Sequence, residues 1–200
     1  MPNWCNNYVE IRHPDAGQVT RAFEALQRGE FLQEFLPCPQ ELRDTVSGFP
    51  GNDKAEAHAA QVARNIEKYG AADWYQWQTS HWGTKWDVGG TDANVELQDA
   101  NTVTASFDSA WAPPTQAYQH LEQLGFEIDA WYHEPGMAFC GRYTNGEDDY
   151  REYSDADKDT VREMVGEELD DFWCISECMA EWEEDDLETD LDDGPRSTNE

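Results

Sequence analysis

Lysine is scarce in this chain, and the features that mark membrane or secreted proteins are missing. Only four of the 200 residues are lysines. No stretch approaches the roughly 18 consecutive apolar residues that a spanning helix needs. The N-terminus MPNWCNNYVEI has neither the basic start nor the apolar run of a signal peptide. These absences predict a cytoplasmic protein with no membrane partner.

Motifs for cofactors, metals and familiar catalysis are also missing. The five cysteines form no C-x-x-C pair, so we expect reduced thiols. Cys174 and Cys178 share a helix face, but a structural zinc site needs four ligands and no histidine pair lies near them. Glycine-rich phosphate loops, G-x-S-x-G and H-E-x-x-H are absent. We therefore predict no metal, no cofactor and no enzymatic activity.

Negative charge dominates what is present, and it is unevenly placed. The formal net charge is -30, of which -11 falls in residues 1–143 and -19 in residues 144–200. Phosphate backbones attract Lys and Arg and repel carboxylates. The composition therefore argues against direct nucleic-acid binding and favours a basic protein partner.

The order of predicted strands and helices indicates an α+β fold. Residues 8–13, 93–97, 102–107, 126–132 and 137–143 have the character of strands, and the last four form two hairpins. Helical spacing follows the first strand and Pro113-Pro114. This order is βαββαβ with an extra strand, the ferredoxin-like split βαβ plan, with both helices on one face of an antiparallel sheet. We assign this domain to residues 1–143, with a helical insertion at about 37–80.

Residues 144–200 have a different character. An apolar stripe at helical spacing predicts one long amphipathic helix over residues 155–187, or two helices broken at Gly166. Its members are Val161, Val165, Leu169, Phe172, Ile175, Met179 and Trp182. We assign residues 144–187 to an acidic helical extension and residues 188–200 to a disordered tail, because the tail has nothing to bury.

Five segments together resemble a known family. They are MPNWCNN, FLPCPQEL, HWGTKWD, FDSAWAPP and YHEPGMAFCGRY, in that order within residues 1–143. The chain is similar there to the Api92-like proteins with a YubB ferredoxin-like domain, which phages and plasmids carry. The resemblance implies a ferredoxin-like fold and a mobile-element gene, and it implies no catalytic residues. It does not extend into the acidic segment.

Four tryptophans cluster in the segment WYQWQTSHWGTKWD at residues 74–87. The structural interpretation is that Trp82 and Trp86 close one end of the sheet, while Lys85 stacks on an indole and pairs with Asp87. One alternative is an enzyme in which His81 is the base, Lys85 the electrophile and Asp87 the orienting acid. Another is an RNA or single-stranded DNA binding module that stacks bases on a Trp-rich sheet surface. The candidate ligand or aromatic residues are Trp74, Trp77, His81, Trp82, Lys85, Trp86 and Asp87.

The acidic stretch carries the leading functional hypothesis. Residues 155–187 hold 14 carboxylates, which a continuous helix would spread over about 50 Å, and a DNA strand presents about 15 phosphates over that length. The match suggests nucleic-acid mimicry by a phage- or plasmid-type accessory protein. Its partner would be the basic groove of a host nucleic-acid-handling protein, and inhibition of host defence would follow. Salt adaptation is the alternative origin of the charge. The predicted partner-binding residues are Glu163, Glu167, Glu168, Asp170, Asp171, Glu181, Glu183, Glu184, Asp185 and Asp186.

Overall fold

Six strands form one antiparallel sheet in a computed structural model of the chain, which describes residues 3–182. The strands are β1 (Trp4–Arg12), β2 (Asn94–Asp99), β3 (Thr102–Ala110), β4 (Glu127–Glu134), β5 (Phe139–Thr144) and β6 (Glu147–Glu152). The helices are α1 (Ala16–Arg28), α2 (Phe31–Phe35), α3 (Gln40–Arg43), α4 (Ala55–Tyr69), α5 (Trp74–His81), α6 (Thr115–Gln123), α7 (Val161–Val165) and α8 (Glu167–Trp173), with a 3-10 turn at Asn52–Lys54. In this part of the chain, no helix is long and apolar enough to cross a membrane.

The first four strands and two of the helices make the ferredoxin-like core. The strand order is β2-β3-β1-β4-β5-β6, with β1 paired between β3 and β4. In β1, Cys5, Val9 and Ile11 alternate with more exposed neighbours, so one strand face is fully buried. Partners on the same face, including Ala105 and Ile128, continue this layer across β3 and β4. The predicted ferredoxin-like fold is confirmed.

Helices α1 and α6 supply the other half of this core. In α1, Val19, Ala22 and Leu26 are buried at helical spacing. Asp15 begins the helix by accepting a hydrogen bond from the Gly17 N–H, and Gly29 ends it in the left-handed conformation. These caps set the two ends of α1. The apolar side of the helix packs against the buried face of the sheet, where α1 contacts β3.

Four helices, α2 to α5, and a 3-10 turn lie between α1 and β2 in the chain. Helix α4 begins after Lys54 without a side-chain cap, and it ends at Gly70 in the left-handed conformation. The buried residue of α4 is Asn65, whereas its neighbour Ile66 is exposed. The Asn65 amide donates to the Thr45 hydroxyl and the Ala72 carbonyl, so a polar anchor holds this helix.

Strand β6 was not predicted from the sequence. Its residues EDDYRE are all exposed, because β6 is an edge strand that pairs only with β5. An edge strand with solvent on both faces has no apolar alternation to detect.

The prediction of one long helix over residues 155–187 is wrong. The chain turns at residues 154–160, and α7 then ends at Gly166, as the two-helix alternative expected. Helix α8 ends at Cys174, which has a left-handed φ of 53°, and residues 175–182 are helical again. Residues 183–187 of the predicted helix and the predicted disordered tail at 188–200 lie outside the described residues.

These C-terminal helices pack on the face of the sheet opposite α1 and α6. Val161, Val165, Leu169 and Ile175 form a second core with Cys140 of β5. Cys140 pairs with His133, whose neighbours along β4 alternate in burial, so this core lies on the other sheet face. The apolar stripe that the sequence indicates is therefore real, but it spans a bent segment.

Candidate functional site: an acidic helical face and a tryptophan-lined segment

Arg162 on α7 organises the acidic segment. Its guanidinium lies 2.7 Å from carboxylate oxygens of both Asp170 and Asp171, and 3.2 Å from Glu167. Three carboxylates of α8 therefore face one cation across the break at Gly166. This pairing stabilises the bend, since extending the segment into one helix would separate the charges.

Asp170 is an internal residue of this segment. Its side chain is 1% exposed. It accepts hydrogen bonds from the Ser176 backbone N–H and hydroxyl, both at 2.8 Å. Burial acts to raise the pKa of Asp170, but the bonds from Ser176 and Arg162 outweigh it and lower that pKa. The Asp170 side chain thus caps the start of the helical stretch at residues 175–182, and it is not available to a partner.

Arg142 on β5 ties α8 to the sheet. It donates two hydrogen bonds to Asp129, at 2.9 and 2.8 Å, and a third to Glu168 at 2.5 Å. Its guanidinium also lies 4.4 Å from the ring centroid of Trp131. The arginine is therefore committed to internal contacts on the sheet face.

The structure divides the ten predicted partner-binding acids into three groups. Glu163, Glu167, Glu168, Asp171 and Glu181 are exposed, and Asp170 is buried. Glu183, Glu184, Asp185 and Asp186 lie outside the described residues. Strand β6 adds exposed acids that the sequence did not single out, including Glu147 and Glu152. A 50 Å line of charge is not formed by the described part, because α7 and α8 contain five and seven residues.

Helix α5 carries the first half of the tryptophan segment and buries two of its indoles. Trp82 is 1% exposed, and its indole N–H donates to the Leu36 carbonyl at 2.8 Å. Trp77 is also buried, and the His81 ring stacks on it with centroids 4.2 Å apart. Gly83 then takes a φ of 91°, which permits the tight turn after the helix. The structural interpretation holds for Trp82, whereas Trp86 is 39% exposed and does not close the core.

Three aromatic rings surround the Lys85 ammonium group. Nζ lies 4.7 Å from the centroid of Trp86, 4.9 Å from Trp111 and 5.7 Å from Tyr75. The expected stacking of Lys85 on an indole is therefore confirmed. Two members of this cluster were missed. Trp111 follows β3 and is distant in sequence, whereas Tyr75 lies within the segment but was not singled out. Trp111 has a left-handed φ of 70°, which is unusual for a residue other than glycine and directs it to this cluster.

Asp87 does not pair with Lys85, which corrects the prediction. Its carboxylate accepts hydrogen bonds from the backbone N–H groups of Leu32, Gln33 and Val88 at 2.7, 2.9 and 2.8 Å. Burial raises the pKa of Asp87 to about 6, and the three N–H donors oppose that rise. Asp87 thus anchors the start of α2.

The arrangement does not assemble the enzyme that the sequence left open. His81 contacts Trp77 and Ser80. Within residues 3–182, neither a hydrogen bond nor an ion pair joins His81, Lys85 and Asp87, and no three potential metal ligands cluster. A base, an orienting acid and an electrophile need mutual contact to act together.

The sheet face opposite α1 and α6 does not present the base-stacking surface that the nucleic-acid alternative requires. Trp74, Trp77 and Trp82 lie on or directly after helix α5, not on a strand. Trp131 of β4 lies on this face, and the ring of Phe172 from α8 stacks on it with ring centroids 4.5 Å apart. The chain's own helix therefore occupies the position at which an unpaired base would stack.

Comparison with known proteins gives a family match for about half of the chain. Residues 81–179 match the family described as the ferredoxin-like domain in Api92-like protein. The matched region begins later than the resemblance over residues 1–143 and includes α7 and α8, so those helices belong to the domain. The crystal structure of protein api92 from Yersinia pseudotuberculosis is similar at 12% identity and a TM-score of 0.43, over 77% of this chain and 99% of that one. No curated protein sequence matches the chain.

Proposed function

Because residues 81–179 match the family described as the ferredoxin-like domain in Api92-like protein, we propose that the chain is a non-enzymatic accessory protein that binds a basic partner. The binding element is an acidic face formed by β6, α7 and α8. The partner is a nucleic-acid-handling protein of the host cell of a phage or plasmid. Binding occupies the groove that nucleic acid uses, so the consequence is inhibition.

The observation that carries this proposal is the excess of carboxylates on one packed unit. Residues 144–182 contain 14 acids and three bases. Helix α7 contacts β6 and α8 contacts β5, so these acids belong to one body. Arg162 and Arg142 neutralise only part of the charge, because each is already shared between carboxylates. The remaining exposed charge favours a basic surface and raises its association rate.

The bend at Gly166 changes the form of the mimicry. The described acids cannot follow a DNA strand as a straight helix would. They lie on a short body that fits a local basic patch instead. Competition by DNA remains the distinguishing property, because the same patch would bind phosphates.

Two variants of equal charge test the proposal. The first replaces Glu147, Glu152, Glu163 and Glu181 with Gln, all of which are exposed. The matched control replaces Glu24, Glu56, Glu67 and Glu127, which are exposed elsewhere on the chain. Each immobilised protein is used to retain partners from bacterial lysate, and the retained protein is then titrated with purified chain.

We expect the first variant to bind its partner more weakly than the control does. Excess duplex DNA should displace the partner from the unmodified chain, and higher salt should slow association. A partner that binds both variants equally, or that resists DNA, contradicts the proposal. Oligonucleotide binding by the purified chain itself would favour the nucleic-acid alternative.

A further inference from the structure

A groove lies on the sheet face opposite α1 and α6, over β1 and β3. Two cavities of about 430 and 410 Å³ share Asp92, Phe107 and Asp108 in their linings, so they adjoin and form one depression. Small-molecule sites in proteins commonly have volumes of about 300 to 1,000 Å³. The groove contains none of the acids of β6, α7 and α8, so it is separate from the proposed function.

The short pairing of β2 with β3 opens this groove. Strand β2 begins at Asn94, which lies opposite Ser106 of β3. Residues 107–110 of β3 therefore have no partner from β2. The loop that precedes β2 carries Asp92 and lines the groove beside them.

An aromatic pair lies at each end of the groove. Trp4, Asn6 and Tyr8 of β1 alternate with buried residues, so all three point to the groove side of the sheet. At about 3.4 Å per residue, Trp4 and Tyr8 are about 13 Å apart. The Trp4 ring centroid is 5.9 Å from that of Trp86, and the Tyr8 ring centroid is 5.7 Å from that of Phe172. Trp4, Trp86 and Phe172 are accessible, with exposed fractions of 45%, 39% and 39%.

Two exposed carboxylates lie between these aromatic pairs. Asp108 pairs with Asn6 in the strand register, and its Oδ1 atom accepts from the Asn6 amide at 2.8 Å. Within residues 3–182, the Asp108 Oδ2 atom and the Asp92 carboxylate have neither a hydrogen bond nor an ion pair. The lining acid Asp87 is different, because its carboxylate already has three backbone donors.

The groove has negative charge without a cation of its own. In the described part of the chain, neither cavity is lined by a lysine, arginine or histidine. Carboxylates and the faces of aromatic rings both attract ammonium groups. Trp86 already contacts the Lys85 ammonium group in this way, at 4.7 Å from its ring centroid. The same carboxylates repel phosphates, so the groove suits a small organic cation and not a nucleic-acid strand.

From these features we propose that the groove binds a linear aliphatic polyamine. Its central ammonium group lies between Asp92 and Asp108, and its terminal ammonium groups contact the rings of Trp4 and Tyr8. Alkylamines are charged at neutral pH, as the lysine side chain is, so each contact receives a positive charge. The methylene segments cover the aromatic surface between these contacts. A hydrated metal ion fits less well, because it has no apolar surface to place against the rings.

Titration calorimetry of the full chain with spermidine, at about 0.15 M salt, tests this proposal. Replacing Asp92 and Asp108 together with Asn should weaken spermidine at least about tenfold, because two charge-assisted contacts are lost. The matched control replaces Asp53 and Asp155 with Asn, which are exposed acids outside both cavities. It has the same net charge as the first variant and should bind spermidine like the unmodified chain.

Two further comparisons test the aromatic contacts and the class of ligand. Trp4→Leu should weaken spermidine about threefold, because one cation–π contact is lost. Trp182→Leu, at an exposed indole outside the groove, should leave its affinity unchanged. Diaminooctane has a similar length without the central amine, so it should bind more weakly than spermidine. Equimolar Mg²⁺ should not displace spermidine.

Thermal unfolding establishes that each variant is folded before its affinity is compared. The proposal is overturned if spermidine does not bind at millimolar concentration. It is also overturned if the two double variants weaken spermidine equally, which would indicate general charge attraction only. Normal binding by Trp4→Leu, or displacement of spermidine by equimolar Mg²⁺, would overturn the assignment to a polyamine.

Discussion

The ring of Phe172 lies parallel to the indole of Trp131, with 4.5 Å between centroids and 9° between planes. Tyr8 of β1 contacts the same phenylalanine, with ring centroids 5.7 Å apart. One side chain of α8 therefore bridges two central strands. The contact adds to the second core, which includes Leu169, in holding this short acidic helix on the sheet face.

Removing this ring should loosen the C-terminal helices. Phe172→Ala should lower the free energy of unfolding by about 1 to 2 kcal/mol, less than a full core truncation because the ring is partly exposed. Trp182→Ala, at a more exposed aromatic residue, should change it by less than about 0.5 kcal/mol. Urea denaturation measures both values. Equal losses in the two variants would contradict the role of the stack.

Alanine substitution of Trp82 and of Trp86 should lower the free energy of unfolding by very different amounts, although the two residues are only four positions apart. Trp82→Ala should cost about 3 to 5 kcal/mol, because it leaves a core cavity and an unpaired Leu36 carbonyl. Trp86→Ala should cost less than about 1.5 kcal/mol, since its indole is partly in solvent. Guanidinium denaturation of both variants provides the comparison. A loss for Trp86→Ala as large as that for Trp82→Ala would place Trp86 in the core.

Lys85 should stabilise the fold through its three rings. Lys85→Met keeps the aliphatic stem and removes the charge, so it should cost about 1 kcal/mol, whereas Lys85→Arg should cost less. Lys54→Met, at an exposed lysine before α4, serves as the control and should be neutral. Chemical denaturation at fixed salt measures these differences. If Lys85→Met is neutral as well, the ammonium group contributes nothing to stability.

His133 should make the C-terminal helices sensitive to acid. Burial lowers the pKa of His133 to about 4, and its Nε2 lies 2.6 Å from the Tyr153 hydroxyl oxygen. An unfolded histidine has a pKa of about 6.5, so between those values the unfolded chain binds more protons and stability falls as pH falls. The His133 side chain should account for a loss of unfolding free energy on the order of 2 to 3 kcal/mol as the pH falls from about 6.5 to about 4.

His133→Phe isolates that contribution from the many carboxylates that titrate in the same range. The difference in unfolding free energy between the variant and the unmodified chain should change from pH 7 to pH 4, in favour of the variant. A constant difference over this interval would show that His133 is not linked to folding.

The central strands could be predicted from the sequence because a strand with one buried face has apolar residues at every second position. Val9 and Ile11 of β1 face the core and their neighbours do not, so alternation marks the strand. Gly70 likewise marks the end of α4, since few other residues adopt its left-handed conformation readily. Local rules therefore recovered the ferredoxin-like order of elements.

Long-range contacts decided the features that the sequence did not reveal. Asp87 was expected to pair with Lys85, but its carboxylate meets the N–H of Leu32, 55 residues earlier. The left-handed turn at Cys174 has no glycine or proline to signal it. The hydrogen bonds from Ser176 to the buried Asp170 depend on that turn, so a surface acid and an internal one could not be distinguished beforehand.

Both outer strands of the sheet carry several carboxylates. Strand β6 has Glu147, Asp149 and Glu152, and strand β2 at the far edge has Glu96 and Asp99. Two copies of the chain that met edge to edge would place like charges within reach of one another. Strand addition by a second copy of the chain is therefore disfavoured at both edges of the sheet. Expression at high concentration should accordingly yield protein in solution and not cross-β aggregates.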